Sequence, residues 1–184
     1  SAGAVASPQI LLLSGVGPAD HLRSLGINVV HSMPGVGQNL RDHPAAFILF
    51  RANGEPPPES APSIQVGLRF STQGSPTRAD FQLSPILMTS EHRPSSVRIE
   101  GDDFHFGLSV GLQNATSAGE LRLASTDPHV QPALNYDFFS APYDRQRMRD
   151  AIRLALQVAE QPAFRDIIVQ RINPTDWDLA SEAA

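Results

Sequence analysis

Residues 1–17, Ser1-Ala2-Gly3-Ala4-Val5-Ala6-Ser7-Pro8-Gln9-Ile10-Leu11-Leu12-Leu13-Ser14-Gly15-Val16-Gly17, constrain this chain more than any other stretch. Ser1 to Ala4 are all small, which lets a backbone lie close against something flat. Ser7-Pro8 reads as a helix start. Ser7 offers its hydroxyl to the free amides of a first turn, and Pro8 stands where its missing N–H costs nothing. Ile10 to Leu13 is apolar on every side, so the short helix is expected to be buried. Gly15 is placed to end it in a left-handed cap. The stretch reads as a strand end turning into a helix whose N-terminus faces the small-residue turn. Such an end suits an anion, for example a pyrophosphate. Tight packing with no ligand at all satisfies the same residues.

Composition narrows the class. A chain of 184 residues with 41% hydrophobic and 18% charged residues has the make-up of a globular protein with a real core. The net charge of -5 gives no basic footprint, so nucleic acid is not an expected partner. The absence of cysteine removes disulfides, thiolate catalysis and cysteine-bound zinc. No apolar run reaches transmembrane length, and no signal peptide opens the sequence; a cytoplasmic location is the expectation. The six histidines, His21, His31, His43, His92, His105 and His129, show no i, i+3 or i+4 pairing, so no metal site is expected. His21 reads as a solvated helix residue.

The run Gly3-Ala4-x-x-Ser7-Pro8-x-Ile10-Leu11-x-x-Ser14-Gly15-Val16-Gly17 resembles the second signature of the glucose–methanol–choline (GMC) flavoprotein oxidoreductases, with every specified position filled. In that family the signature lies in the FAD-binding domain, well inside the chain. The resemblance therefore implies a sequence that begins in mid-domain, with FAD as cofactor. It also implies that Ser1, Ala2, Gly3, Ala4 and Ser7 border the cofactor. Neither Gly15-Val16-Gly17 nor Gly35-Val36-Gly37 completes a dinucleotide fingerprint, because Asp20 and Leu40 fall where the third glycine belongs.

Two further segments carry the resemblance. Gly37-Gln38-Asn39-Leu40-Arg41-Asp42-His43 is similar to the segment that leaves the flavin domain and enters the substrate domain, with Arg41 in place of the usual Gln. The wider stretch Pro34 to Pro44, with Gly35 and Gly37 between flanking prolines, predicts an ordered loop fixed by Asn39, Asp42 and His43. A proton-transfer role for His43 is chemically open, but the family places its catalytic His elsewhere. Ser117-x-Gly119, Ser125-x-Asp127-Pro128 and Asn135-Tyr136 resemble the family's C-terminal region, where they serve as scaffold. The His-x-x-Gly-Thr segment that carries the family's catalytic His is not among these residues, so no catalytic residue is assigned.

Local patterns fill in the rest. Pro18 to Leu25 reads as a helix with Leu22 and Leu25 inward, and Ile27 to Val30 as a short strand. Ala45 to Arg51, Gln65 to Phe70, Asp80 to Leu87 and Phe104 to Leu112 read as strands. They are joined by loops, which favours an antiparallel sheet. Glu91 to Asp103 reads as a surface loop, and Pro56-Pro57-Pro58 as a stiff connector. Ser140 to Gln161 is the longest helix, with Met148, Ala151, Ile152 and Ala155 inward and Arg145, Arg149 and Arg153 solvated. Phe164 to Ile172 suits helix or strand, and the chain is expected to fray after Pro174.

The expected fold class is α/β plus α+β. Residues 1–44 form a partial, Rossmann-like FAD-binding domain. Residues 45–184 form an antiparallel-sheet substrate domain with helices, incomplete at its C-terminus. The resemblance implies hydride transfer from an alcohol or choline-type substrate to FAD, with the electron acceptor open. It leaves the hydroxynitrile lyase branch open as well. The residues alone also allow a non-enzymatic module or the remnant of a split gene. An incomplete flavin domain is expected to make the chain inactive and marginally folded by itself. On that reading, removing residues 1–44 improves solubility.

Overall fold

The structure, a computed structural model, describes residues 1–58, 60–88 and 104–180. The expected loop at 91–103 lies outside the described residues. The elements in chain order are α1 (Gly3–Leu13), β1 (Val16–Gly17), α2 (Ala19–Ser24), β2 (His31–Ser32), β3 (Gln38–Leu40), β4 (Ala45–Ala52), β5 (Leu68–Phe70), β6 (Phe81–Met88), β7 (His105–Leu112), β8 (Gly119–Arg122), β9 (Ala133–Asn135), α3 (Pro142–Ala159), β10 (Ile168–Asn173) and α4 (Asp176–Ala180). They make a mixed α/β structure with antiparallel sheets. The chain divides into two compact units, 1–42 with 115–144 and 43–114 with 145–184.

The first unit is built around Leu12 and Leu22, both fully buried, with Val36, Leu121 and Leu123. Helix α1 starts five residues earlier than the Ser7-Pro8 pair suggested, with Ala2 rather than Ser7 at the N-cap. The segment Gly3-Ala4-Val5-Ala6 is helical, as two good helix-forming alanines favour. The Ser7 hydroxyl accepts the Ala2 N–H at 3.0 Å instead of capping its own turn. Pro8 lies inside the helix, where it removes the bond to the Ala4 carbonyl. Only one face of the apolar run is buried: Leu12 is inside, whereas Ile10 and Leu11 are 55% and 43% exposed. Gly15 takes the expected left-handed conformation (φ +83°).

Helix α2 forms as read, with Leu22 inward and a positive φ at Gly26. The short strand comes later than expected. Ile27 and Val29 pack on the core as coil, and His31–Ser32 pairs in parallel with Val16–Gly17. The expected loop at 34–44 contains β3, which joins β8 and β9 in an antiparallel sheet of order β3-β8-β9. Two glycines are dictated by close approach. A Cβ at Gly37 (φ +84°) meets the Leu121 carbonyl oxygen, and one at Gly119 meets the Asn135 carbonyl.

The second unit is a five-stranded antiparallel sheet of order β10-β4-β7-β6-β5. Its register separates two faces. One carries Ala46, Ile48 and Phe50 beside Val110, Leu108 and Phe106, then Leu83, Pro85 and Leu87. Phe50 stacks on Phe106 at 5.3 Å, and Phe106 on Phe164 at 6.3 Å. Helix α3 lies on this side: Met148, Ala151 and Ala155 are buried, and α3 residues share a cavity wall with Ala46 and Ile48. The ambiguous segment after Phe164 resolves as a strand, β10. The chain does not fray after Pro174 but forms α4. Thr175 and Asp178 cap this helix reciprocally: the Asp178 carboxylate accepts the Thr175 N–H, and Thr175 Oγ1 accepts the Asp178 N–H.

Candidate functional site

The sequence-predicted cofactor residues all sit at one helix end. Ser1 to Ala4 are exposed, Ala2 is the N-cap, Gly3 is the first residue of α1 and Ser7 is half-buried one turn on. The first amides of a helix have no partner within it, so the Gly3-to-Ala6 turn presents unpaired donors and the positive end of the helix dipole. Gly3 has φ +87°, and a Cβ placed there meets nothing within 4 Å. The strip is therefore narrow-chained, open and electropositive, which fits a flat group carrying a diphosphate. Ser7 supports it indirectly, by tying down the Ala2 amide.

The loop that follows β3 is fixed by groups the sequence only partly indicated. Asn39 takes φ +60°, and its Oδ1 accepts from Arg41 Nε at 3.0 Å. Arg41 Nη1 then donates to the Ala115 carbonyl at 2.6 Å. The residue that departs from the usual Gln thus bridges two distant parts of the first unit. Asp42 and His43 lie exposed on the surface.

His21 is not the freely solvated residue expected. Its Nε2 accepts the Leu123 N–H at 3.1 Å, and Nδ1 lies 3.1 Å from Arg122 Nη2. Both neighbours are donors, and a neutral imidazole has one lone pair to offer, so the contacts compete. Partial burial and then the Arg122 charge hold the His21 pKa below its ordinary value, opposed by Glu120.

In the second unit, the face of the sheet opposite α3 is small and polar at its centre. Gln82, Gly111 and Ala45 align, as do Ser84, Ser109 and Phe47. Gln82 Nε2 donates to Ser84 Oγ at 3.2 Å. Gly67 brings its backbone beside both side chains. Ser84 is buried there, while Gln82 and Ser109 are part-exposed and carry the hydrogen-bonding groups of this face. Among the described residues no group of His, Asp and Glu forms a metal site.

Three buried charges escaped sequence reasoning. Asp144, fully buried at the start of α3, accepts hydrogen bonds from the N–H and hydroxyl of Thr116 (3.0 and 2.8 Å) and of Ser117 (2.6 Å each). Arg147 pairs with buried Asp80 at 2.7 Å and donates to the Asn114 carbonyl at 3.0 Å. Ser75 Oγ donates to the same Asp80 oxygen at 2.7 Å. The signal was present: Asp144 and Arg147 fall at i-4 from Met148 and Ala151, on the stripe read as apolar.

Comparison with known proteins decides the family. Two GMC oxidoreductase family models match, the N-terminal one over residues 1–45 and the C-terminal one over residues 115–183. This chain belongs to the GMC oxidoreductase family. An oxygen-dependent choline dehydrogenase of Chromohalobacter salexigens is 33% identical over 199 aligned residues, covering 94% of this chain and 34% of that protein. Its counterpart from Pseudomonas savastanoi pv. phaseolicola is 32% identical, covering 99% of this chain and 35% of that protein. This GMC chain thus spans about a third of the length of these curated relatives. A crystal structure of formate oxidase superposes with a TM-score of 0.84 at 22% identity, over 98% of this chain and 40% of that one. Pyridoxine 4-oxidase from Mesorbium loti gives 0.80 at 21% identity, over 94% of this chain and 34% of that one. At such identities these two establish the fold of the GMC chain.

Proposed function

We propose that this chain is the middle part of an FAD-dependent oxidoreductase that oxidises an alcohol, of choline or sugar-alcohol type, to the carbonyl. In this reading residues 1–44 belong to the FAD-binding domain and 45–184 to the substrate domain. The observation that carries it is the alignment with choline dehydrogenases along nearly the whole chain, and the exposed N-terminus of α1 supports it. FAD, when bound, supplies the acceptor for the hydride leaving the substrate carbon, while the hydroxyl proton passes to a base.

The residues of this chain bind and orient. Ser1, Ala2, Gly3 and Ala4 give close backbone approach and amide donors to the cofactor's diphosphate, and Ser7 holds that turn in shape. Gln82, Ser84 and Ser109 line the substrate side of the sheet, because α3 occupies the apolar side. The proton-accepting His of the family's His-x-x-Gly-Thr segment is supplied from outside these 184 residues. His43, exposed in a scaffold loop, has no part in proton transfer.

The test is anaerobic spectroscopy on the parent-length protein. Choline or another primary alcohol should bleach the flavin bands. A protein that purifies colourless and stays so with added FAD contradicts the reading. A flavoprotein that no alcohol reduces points to the family's hydroxynitrile lyase branch instead.

A further inference from the structure

Strand β4 ends at Ala52, and the chain turns through an exposed bend at Asn53 and Gly54. Asn53 is the one asparagine of the sequence that glycine follows. Such a pair carries a reaction of its own. The backbone nitrogen after an asparagine can attack the side-chain amide carbon, and a Cβ on the following residue is the usual obstacle. Gly54 removes it. A Cβ placed there meets nothing within 4 Å, and its φ of +92° is one that glycine adopts without strain. The upstream side is held, because the Asn53 N–H donates to the Ile167 carbonyl at 2.8 Å. Among the described residues, nothing hydrogen-bonds the Asn53 side-chain amide or the Gly54 N–H. Both reacting groups are therefore unrestrained and in water. The other asparagines differ. Oδ1 of Asn39 and of Asn135 accepts a hydrogen bond. Pro174 after Asn173 has no N–H to lose, and Asn28 and Asn114 precede Val29 and Ala115.

We propose that Asn53-Gly54 is a self-modification site, where the folded chain deamidates to a mixture of aspartate and isoaspartate. The Gly54 nitrogen gives its proton to hydroxide and bonds to Asn53 Cγ. The Cγ–Nδ2 bond breaks, and the nitrogen leaves as ammonia after taking a proton from water. Water then opens the five-membered imide. Cleavage between the imide nitrogen and Cγ leaves aspartate. Cleavage between that nitrogen and the backbone carbonyl carbon of residue 53 leaves isoaspartate, with the chain running through the former side chain. No oxidant or reductant is needed. Each product puts a new carboxylate at the exit of β4, and isoaspartate lengthens the backbone there by one methylene. The bond from the Asn53 N–H to Ile167 lies upstream of the altered linkage, so the sheet is kept while the chain leaving it is redirected.

Peptide mapping by mass spectrometry tests this on the parent-length protein, incubated at neutral and at mildly alkaline pH. The peptide holding Asn53 should gain one mass unit in two separable products, with ammonia released. The rate should rise with pH, because the attacking amide must lose its proton. Asn53 should react about tenfold or more faster than Asn28 or Asn114, and within about threefold of a synthetic peptide spanning Arg51 to Pro56. Asn53→Gln, whose ring closure is six-membered, should slow the mass gain by about tenfold or more. An Asn53 that stays intact in the folded protein overturns the proposal. So does reaction at Asn28 or Asn114 that is as fast, or a mass gain that persists at the same rate in Asn53→Gln.

Discussion

His21 and Asp144 show how single side chains hold the first unit together. The Leu123 amide needs a lone pair on His21 Nε2, which protonation removes. The folded-state pKa lies below the unfolded value of 6.5, so His21 contributes stability that is full above that pH and is lost as the pH falls below it. The Leu123 amide resonance should therefore titrate at a pH below 6.5, and its hydrogen-exchange protection should fall over the same range. Titration at or above 6.5 contradicts the assignment. Asp144 accepts four bonds in a buried site, and Asn in its place turns an acceptor into a donor facing donors. Asp144→Asn should lower stability by about 2–4 kcal/mol, read by chemical denaturation. A loss within about 0.5 kcal/mol, as for an ordinary surface position, counts against this network.

At the level of elements, α3 is anchored by an ion pair inside an otherwise apolar contact. Arg147→Met leaves Asp80 buried and uncompensated and should cost about 3–5 kcal/mol. Adding Asp80→Leu should recover much of that loss, because neither charge then needs a partner. A double variant no better than the single one shows that the pair does more than neutralise itself. The strands β4, β6 and β7 and the helices α2 and α3 were legible within a residue or two, because long runs with clear periodicity declare themselves. The start of α1 was not, since Ser7-Pro8 is a strong local signal overridden by alanines before it and by a hydroxyl that bonds backwards. β1 and β2 exist only as a partner for each other, and α4 follows a proline that reads as a breaker, so neither had a signal of its own.

At the level of the whole molecule, the two-segment composition of each compact unit was hidden from the sequence. Nothing in Leu121 or Leu123 shows that they bury against Leu12 and Leu22; that contact is set by the chain's return at 115–144. The consequence reverses the solubility expectation. Removing residues 1–44 takes β3 from β8 and uncovers Leu121 and Leu123, each worth about 1.5–3 kcal/mol of burial. The truncated chain should be less soluble than the full 184 residues, as read by the fraction remaining after centrifugation; equal or better solubility contradicts this. The chemistry was legible in part. The small residues of α1 stand out in the sequence by size alone, and their role at the cofactor is a proposal, whereas the polar sheet face needed the register to separate Gln82 and Ser84 from Leu83.

The central claim is that the exposed N-terminal strip of α1 holds FAD in an alcohol-oxidising enzyme. FAD bound per polypeptide, measured in the parent-length protein with and without Gly3→Val, tests it most directly. Gly3 is in the left-handed region, where a branched side chain is strained, and its Cβ points into the open space assigned to the cofactor. The account predicts near-stoichiometric FAD in the unaltered protein and about tenfold weaker retention in the variant. FAD occupancy that is unchanged by Gly3→Val, or absent from both proteins, contradicts it.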